Sequence, residues 1–266
     1  MRHSKVINEQ SNLKELILQA LQTGDFTFYY QPQICLANNE IHGFEVLVRC
    51  NNKSGLKLNT DEFINVIEDI GKAEELNHLV LKTFLEYISN YDPKYKKKFA
   101  INISTAVSDL ISHIKQLIQV VKSAKLSKNI QIEFEFTESQ FIDDDVWSKL
   151  NLPEMYTELK AANILVGLDD FGVKYSALKR LLDYKFNTIK IDLIFVQALE
   201  TSKIKLAQVL IKAVIDLAKL MDADVIAEGA ASNIQIDLLK SLGCNYVQSN
   251  FYYSPMSKAE MLKHLV

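Results

Sequence analysis

The sequence predicts an α/β fold, a closed TIM-like (β/α)₈ barrel with one antiparallel strand from an N-terminal hairpin. Three observations carry this. Apolar strand-like runs alternate with amphipathic helical stretches, eight such runs occur, and the first two are separated only by ANNE. Alternating strands and helices imply mostly parallel pairing with the helices outside, and single barrels of this kind commonly take about 250 residues. This chain has 266. A hairpin at the start sets one strand against the others. An open doubly wound sheet is the competing arrangement, but the glycine-rich phosphate fingerprint of dinucleotide folds is absent.

The elements follow in order. Leu13, Leu16, Ile17, Ala20 and Leu21 recur at helical spacing, with Gly24 as a stop. FTFYYQPQICL and IHGFEVLVRC form the hairpin. A helix over 61–90 then leads to KFAINIS, one over 106–126 to NIQIEFEFTE, and one over 153–162 to NILVGLDD. Helices over 175–184, 203–221 and 233–242 lead to FNTIKID, DVIAEG and CNYVQ. DPKYKKK reads as a solvated loop. With 8 Gly, 4 Pro and no Gly/Ser linker, one domain is expected: residues 1–24 as a capping helix and 25–266 as the barrel.

Bulk composition narrows the function. At 48% hydrophobic and 24% charged residues, the chain has ample core-forming material. A net charge of −3 provides no basic field for long nucleic acid, yet leaves room for a small phosphorylated ligand. Cys35, Cys50 and Cys244 lack CxxC spacing and suit a reduced, cytoplasmic protein rather than a disulfide framework or a zinc site. No run has the length for membrane insertion, and MRHSKVINEQ lacks a signal peptide's apolar core.

Barrels gather their active sites at the C-terminal ends of the strands. Those ends carry Glu45, Asn102, Glu135, Asp169, Asp170, Lys190, Glu228 and Gln248. Singly, each has a plain structural role. Glu45 pairs with Arg49, Lys190 with Asp192, and Asn102 or an aspartate caps a helix. Together in a closed barrel they face one small volume, where so many carboxylates are unfavourable without cations. Oxygen donors plus an amide, with none of the five histidines at a ligand spacing, select Mg²⁺ or Mn²⁺ over zinc. The neighbours Asp169 and Asp170 suit two ions about 3.5–4 Å apart, the separation in two-metal phosphoryl-transfer sites.

FYYQP, GFEVLVR, INIS, EFTES, LDDFG, IKID, VIAEG and LGCNYVQ occur in this order, and through them the chain resembles the EAL-domain cyclic di-GMP phosphodiesterases from residue 28 to residue 254. The resemblance implies hydrolysis of cyclic di-GMP to linear pGpG by two-metal water attack. It implies Glu45, Asn102, Glu135 and Asp169 as ligands of one Mg²⁺ or Mn²⁺, and Asp169, Asp170 and Glu228 as ligands of a second. Lys190 would orient the attacking water, with Glu45 and Glu228 also serving catalysis, and Gln248 would position water or substrate. Gln31 and Arg49 would contact the dinucleotide, with Leu47 beside a guanine. Glu138 would brace the loop after LDDFG, and helices near that loop would form a homodimer.

Several positions depart from the family pattern. Val46 stands for the usual alanine of the signature, and Cys50 for the tryptophan after its arginine. Lys174 occupies a usual glycine in the loop after LDDFG. AEGAA replaces AEGVE, so Ala231 lacks a carboxylate that would support the ligands, and Ser249 and Asn250 replace the GY of QGY. None removes an expected ligand, which favours a working hydrolase. The alternative is a catalytically weak or inactive cyclic di-GMP receptor or protein-interaction module.

Overall fold

A computed structural model describes residues 2–50, 60–141, 152–173, 181 and 184–265. Its strands are β1 (Phe26–Cys35), β2 (Ile41–Cys50), β3 (Lys97–Asn102), β4 (Ile130–Thr137), β5 (Ile164–Phe171), β6 (Thr188–Ile191), β7 (Asp224–Glu228) and β8 (Tyr246–Gln248). They close into one barrel in chain order. β1 runs antiparallel to both β2 and β8, and every other neighbouring pair is parallel. The hairpin therefore inverts a single strand, as the short ANNE connection requires.

The described helices are α1 (Arg2–Thr23), α2 (Thr60–Asp69), α3 (Ala73–Ile88), α4 (Leu110–Ser123), α5 (Leu152–Ala161), α6 (Leu193–Gln197), α7 (Ile204–Met221), α8 (Asn233–Leu242) and α9 (Lys258–Lys263). The single helix expected over 61–90 is two. Gly71, at φ 65°, takes a left-handed turn between them, and the Lys72 N–H closes back on the Ile67 carbonyl at 2.9 Å. α4 begins at Leu110 because Asp109 caps it, accepting from the Ser112 N–H at 3.1 Å. α1 packs on α2 and α3, and its Ile17 and Ala20 are buried. The helix expected over 175–184, apart from residue 181, and Lys174 lie outside the described residues.

Strand alternation divides the barrel into two faces. Outward residues pack on helices: the Phe84 ring of α3 lies 5.1 Å from that of Phe99 and 6.3 Å from that of Tyr30. Inward residues are strongly polar, and they build the site. Among the described residues, no helix is long and apolar enough to cross a membrane.

Candidate metal centre

Neighbouring residues of a regular strand point to opposite faces, so LDDF should split its two carboxylates. A bulge prevents this. The β5–β6 register shifts between Leu168 and Phe171, and Asp170 adopts φ 56°, a left-handed conformation that aspartate tolerates better than most residues. Its N–H donates to Asp169 Oδ1 at 2.9 Å. Ligand oxygens of Asp169, Asp170 and Glu228 consequently lie within 4.8 Å of one another. Gly172 follows at φ 97°, where a Cβ would stand 2.7 Å from the Phe195 ring. Its N–H donates to Glu138 Oε2 at 2.9 Å, tying the end of β5 to the turn after β4.

A second group, Glu45, Glu135 and Asp169, also brings oxygens within 4.8 Å. Lys190 from β6 rises between the groups. Its Nζ lies 2.9 Å from Glu228, 3.0 Å from Asp169, 3.3 Å from Glu135 and 3.4 Å from Glu45. Asn102 Nδ2 donates to Glu45 Oε1 at 2.6 Å, and Gln248 Nε2 donates to Glu45 Oε2. Gln33, fully buried on β1, donates to Gln248 Oε1 at 3.1 Å and thereby fixes which way that amide faces. Gly167 leaves the space that the inward glutamates fill, since a Cβ there would come within 3.0 Å of Glu135 Cγ.

The electrostatics follow from burial. Desolvation pushes the carboxyls of Glu135 and Asp169 above the ordinary range, and the attraction of Lys190 only partly opposes it. For the same reason Glu228 is pushed up to about 8 and Asp170 to about 6, the latter also by Asp169. Glu45 is the exception. Burial raises its pKa too, but Lys190 and hydrogen bonds from Gln248 and Asn102 outweigh this and leave it below the usual range. Lys190 is held protonated: burial disfavours its charge, but Asp169, Glu135, Glu228 and Glu45 prevail.

These residues suit a hard divalent cation. One ammonium faces the carboxylates of Glu45, Glu135, Asp169 and Glu228, Asp170 adds a fifth beside Asp169, and among the described residues buried Glu135 Oε1 has no hydrogen-bond partner. The donors of this ring are all oxygen.

The plain roles assigned to single residues by sequence are not the ones adopted. Asp192 caps α6, accepting from the Ile194 N–H at 2.8 Å, while Lys190 turns to the acidic ring. Arg49 Nη1 donates to the Val48 carbonyl at 2.9 Å, and Glu45 finds Asn102, Gln248 and Lys190. Leu47 and Arg49 lie half-buried further along β2, on the alternation that carries Glu45. At the rim, Gln31 Nε2 donates to Asn250 Oδ1 at 3.3 Å, and Gln31 Oε1 accepts from Gln248 at 3.4 Å. Asn250 thus engages a residue that the family resemblance assigns to substrate. Ser249 is buried, and among the described residues its hydroxyl lacks a hydrogen-bond partner. Ala231 is exposed, and its N–H donates to Gln235 Oε1 at 2.7 Å.

Beneath the ring lies a second polar layer, not expected from the strand ends. Lys98 Nζ lies 2.7 Å from Glu133 Oε1 and 3.0 Å from Thr188 Oγ1, which donates to Glu133 Oε2. All three residues are buried. DPKYKKK is not solvated to its end: Lys97 and Lys98 open β3, and Lys98 is buried, on the same inward alternation as Glu133 and Thr188 of their strands.

The sequence model of the EAL domain matches residues 14–255. The probable cyclic di-GMP phosphodiesterase PdeB of Escherichia coli K12 is 30% identical over 246 residues, 92% of this chain and 45% of that protein. The cyclic di-GMP phosphodiesterase RocR of Pseudomonas aeruginosa is 28% identical over 262 residues, 93% of this chain and 62% of that protein. The chain therefore spans less than two thirds of either relative. The solved EAL enzyme Bd1971, in its cAMP- and cyclic-di-GMP-bound form, superposes with a TM-score of 0.82 at 24% identity. That match covers 98% of this chain and 70% of the other, and it carries the fold.

Proposed function

This chain belongs to the EAL domain family, and from that membership and the acidic ring around Lys190 we propose that it is a metal-dependent phosphodiesterase converting cyclic di-GMP to linear pGpG. One observation carries the reading: among the described residues four carboxylates, those of Glu45, Glu135, Asp169 and Glu228, converge on one buried ammonium with Asp170 beside them, an excess of acid that divalent cations would neutralise.

Glu45, Asn102, Glu135 and Asp169 would hold one Mg²⁺ or Mn²⁺, and Asp169, Asp170 and Glu228 a second. Such ions supply Lewis-acid charge that activates water and stabilises the oxygens of phosphoryl transfer. The protein's own residues do the rest. Lys190 holds the carboxylates in register and orients the attacking water. Gln248, fixed by Gln33, presents its NH₂ group to Glu45 and Gln31. Arg49 offers a forked donor for a phosphate, Gln31 contacts the dinucleotide, and Leu47 packs beside a guanine. Glu138 braces the loop after Gly172. The working unit is a homodimer.

The test is pGpG formation by purified protein with excess Mn²⁺, abolished in Glu45→Ala and in Glu228→Gln. No product from the unmodified protein would sink the enzymatic reading. A weak or inactive receptor is the second reading, favoured by Asn250 at the rim and by Ala231. It predicts tight cyclic di-GMP binding without turnover, so a binding assay beside the turnover assay separates the two.

A further inference from the structure

Glu74 and His78 on α3 and His113 on α4 bring potential ligand atoms within 4.8 Å of one another, but their hydrogen bonding speaks against a metal. Asn77 Oδ1 accepts from the Ser104 N–H at 3.1 Å, while Nδ2 donates to the Ser104 carbonyl at 2.8 Å. That orientation directs the second Nδ2 hydrogen at His113 Nε2, 2.9 Å away. The network therefore assigns Nε2 as an acceptor and places the proton of the neutral ring on Nδ1, facing Glu74 at 3.8 Å. A protonated nitrogen offers no lone pair to a cation. The cluster has a different use.

Asn77 is 3% exposed, on a helix face otherwise made of Ala73, Leu76, Val80, Leu81 and Phe84. A buried amide among such residues is costly unless its hydrogen bonds are met. Here all are met, and two of them grip one peptide segment from both sides. That segment is Ser104, two residues past Asn102. It is gripped again where its Oγ donates to Glu68 Oε1 at 2.6 Å and accepts from the Ala106 N–H at 3.2 Å. Between the two, the Ile103 N–H donates to the Glu135 carbonyl at 3.0 Å. The backbone leaving β3 is thus held from the helix layer, immediately after the residue that donates to Glu45.

We propose that Asn77 is a positioning residue for Asn102: by clamping Ser104, with His113 satisfying its remaining N–H, it holds the Asn102 amide against Glu45 from outside the barrel. The inference rests on the metal-centre reading, because it assigns to that centre a support on α3. Where outer hydrogen bonds orient a ligand, their loss typically weakens metal affinity about 10–100-fold.

A double-mutant cycle tests it with Asn77→Leu, Asn102→Ala and both together, read by Mn²⁺ calorimetry and by melting in EDTA. Asn77→Leu should weaken Mn²⁺ binding about tenfold or more, and should add less than about twofold in the Asn102→Ala background. The melting losses should likewise fail to add. Equal effects in both backgrounds would overturn the proposal, since a merely structural residue weakens both alike. If Asn77→Leu does not fold, Asn77→Asp serves: it keeps the acceptor for the Ser104 N–H and removes the donor to its carbonyl. Should the unmodified protein bind no Mn²⁺, the metal reading falls while the melting cycle still decides the role of Asn77.

Discussion

Lys190 Nζ stands 2.9 Å from Glu228 Oε1, joining β6 to its neighbour β7 at the barrel mouth, and the same ammonium reaches Asp169, Glu135 and Glu45. Without a metal, Lys190 is the cation that holds the ring together. Lys190→Met should therefore melt well below the unmodified protein in EDTA at pH 8, and Mn²⁺ should restore more of its stability than it adds to the parent. Turnover should fall about 100-fold or more, as expected when a group that orients a reacting water is lost. Equal melting in EDTA would show that the ammonium does not organise the ring.

The pH dependence of the metal-free protein follows from Glu228. Burial and neighbouring carboxylates lift its folded-state pKa from 4.5 to about 8. A raised carboxyl pKa contributes stability that is fully present below the unfolded value and lost as pH rises through the folded one. In EDTA, the parent and Glu228→Gln should melt together near pH 5. By pH 8 the parent should be lower by several degrees (about 2–4 °C per kcal/mol at this chain length). Saturating Mn²⁺ should reverse the order, because the glutamine is a poorer ligand. Parallel curves across this window would contradict the assignment.

The Lys98–Glu133 pair is expected to matter through the penalty of breaking it. Both ends are buried, and removing one partner of such a pair typically costs about 3–5 kcal/mol. Lys98→Met should lower the melting temperature by on the order of 10 °C, and Lys98→Met with Glu133→Leu should recover most of it. A single substitution melting within about 2 °C of the parent would show the pair to be unimportant.

That pair also marks how far the sequence could be read. The barrel was legible because strands and helices alternate with few glycines, and the inverted β1 because ANNE permits nothing longer than a hairpin. Glu45, Glu135, Asp169, Lys190 and Glu228 were legible because each interrupts or ends an apolar run. Lys98 and Glu133 carry the same alternation one step deeper, but Lys98 ends the lysine-rich run DPKYKKK, whose charge reads as a solvated loop, and Glu133 lies inside a strand rather than at its tip. The bulge at Asp169 and Asp170 was not legible, since it depends on how β5 meets β6. Asn77 was not legible either. Its partner Ser104 lies 27 positions away, and only packing of α3 against the barrel brings them together.

The proposed homodimer would have a surface to use. On α7, Leu206, Val209 and Leu210 form one exposed apolar stripe at 59%, 65% and 41% exposure, and Leu193 and Ile194 of the adjoining α6 are also exposed. Apolar side chains grouped in this way mark an association surface more often than a free one, whereas singly scattered ones need no explanation. In the proposed dimer a second copy of the chain would cover it, because a two-fold contact needs only one self-complementary patch. Light scattering at micromolar concentration should therefore give a mass near twice 30.3 kDa. Val209→Glu should return it to one chain without disturbing the fold, since that side chain faces away from the barrel. A single-chain mass independent of concentration would rule out the dimer, and a dimer unaffected by Val209→Glu would place its interface elsewhere.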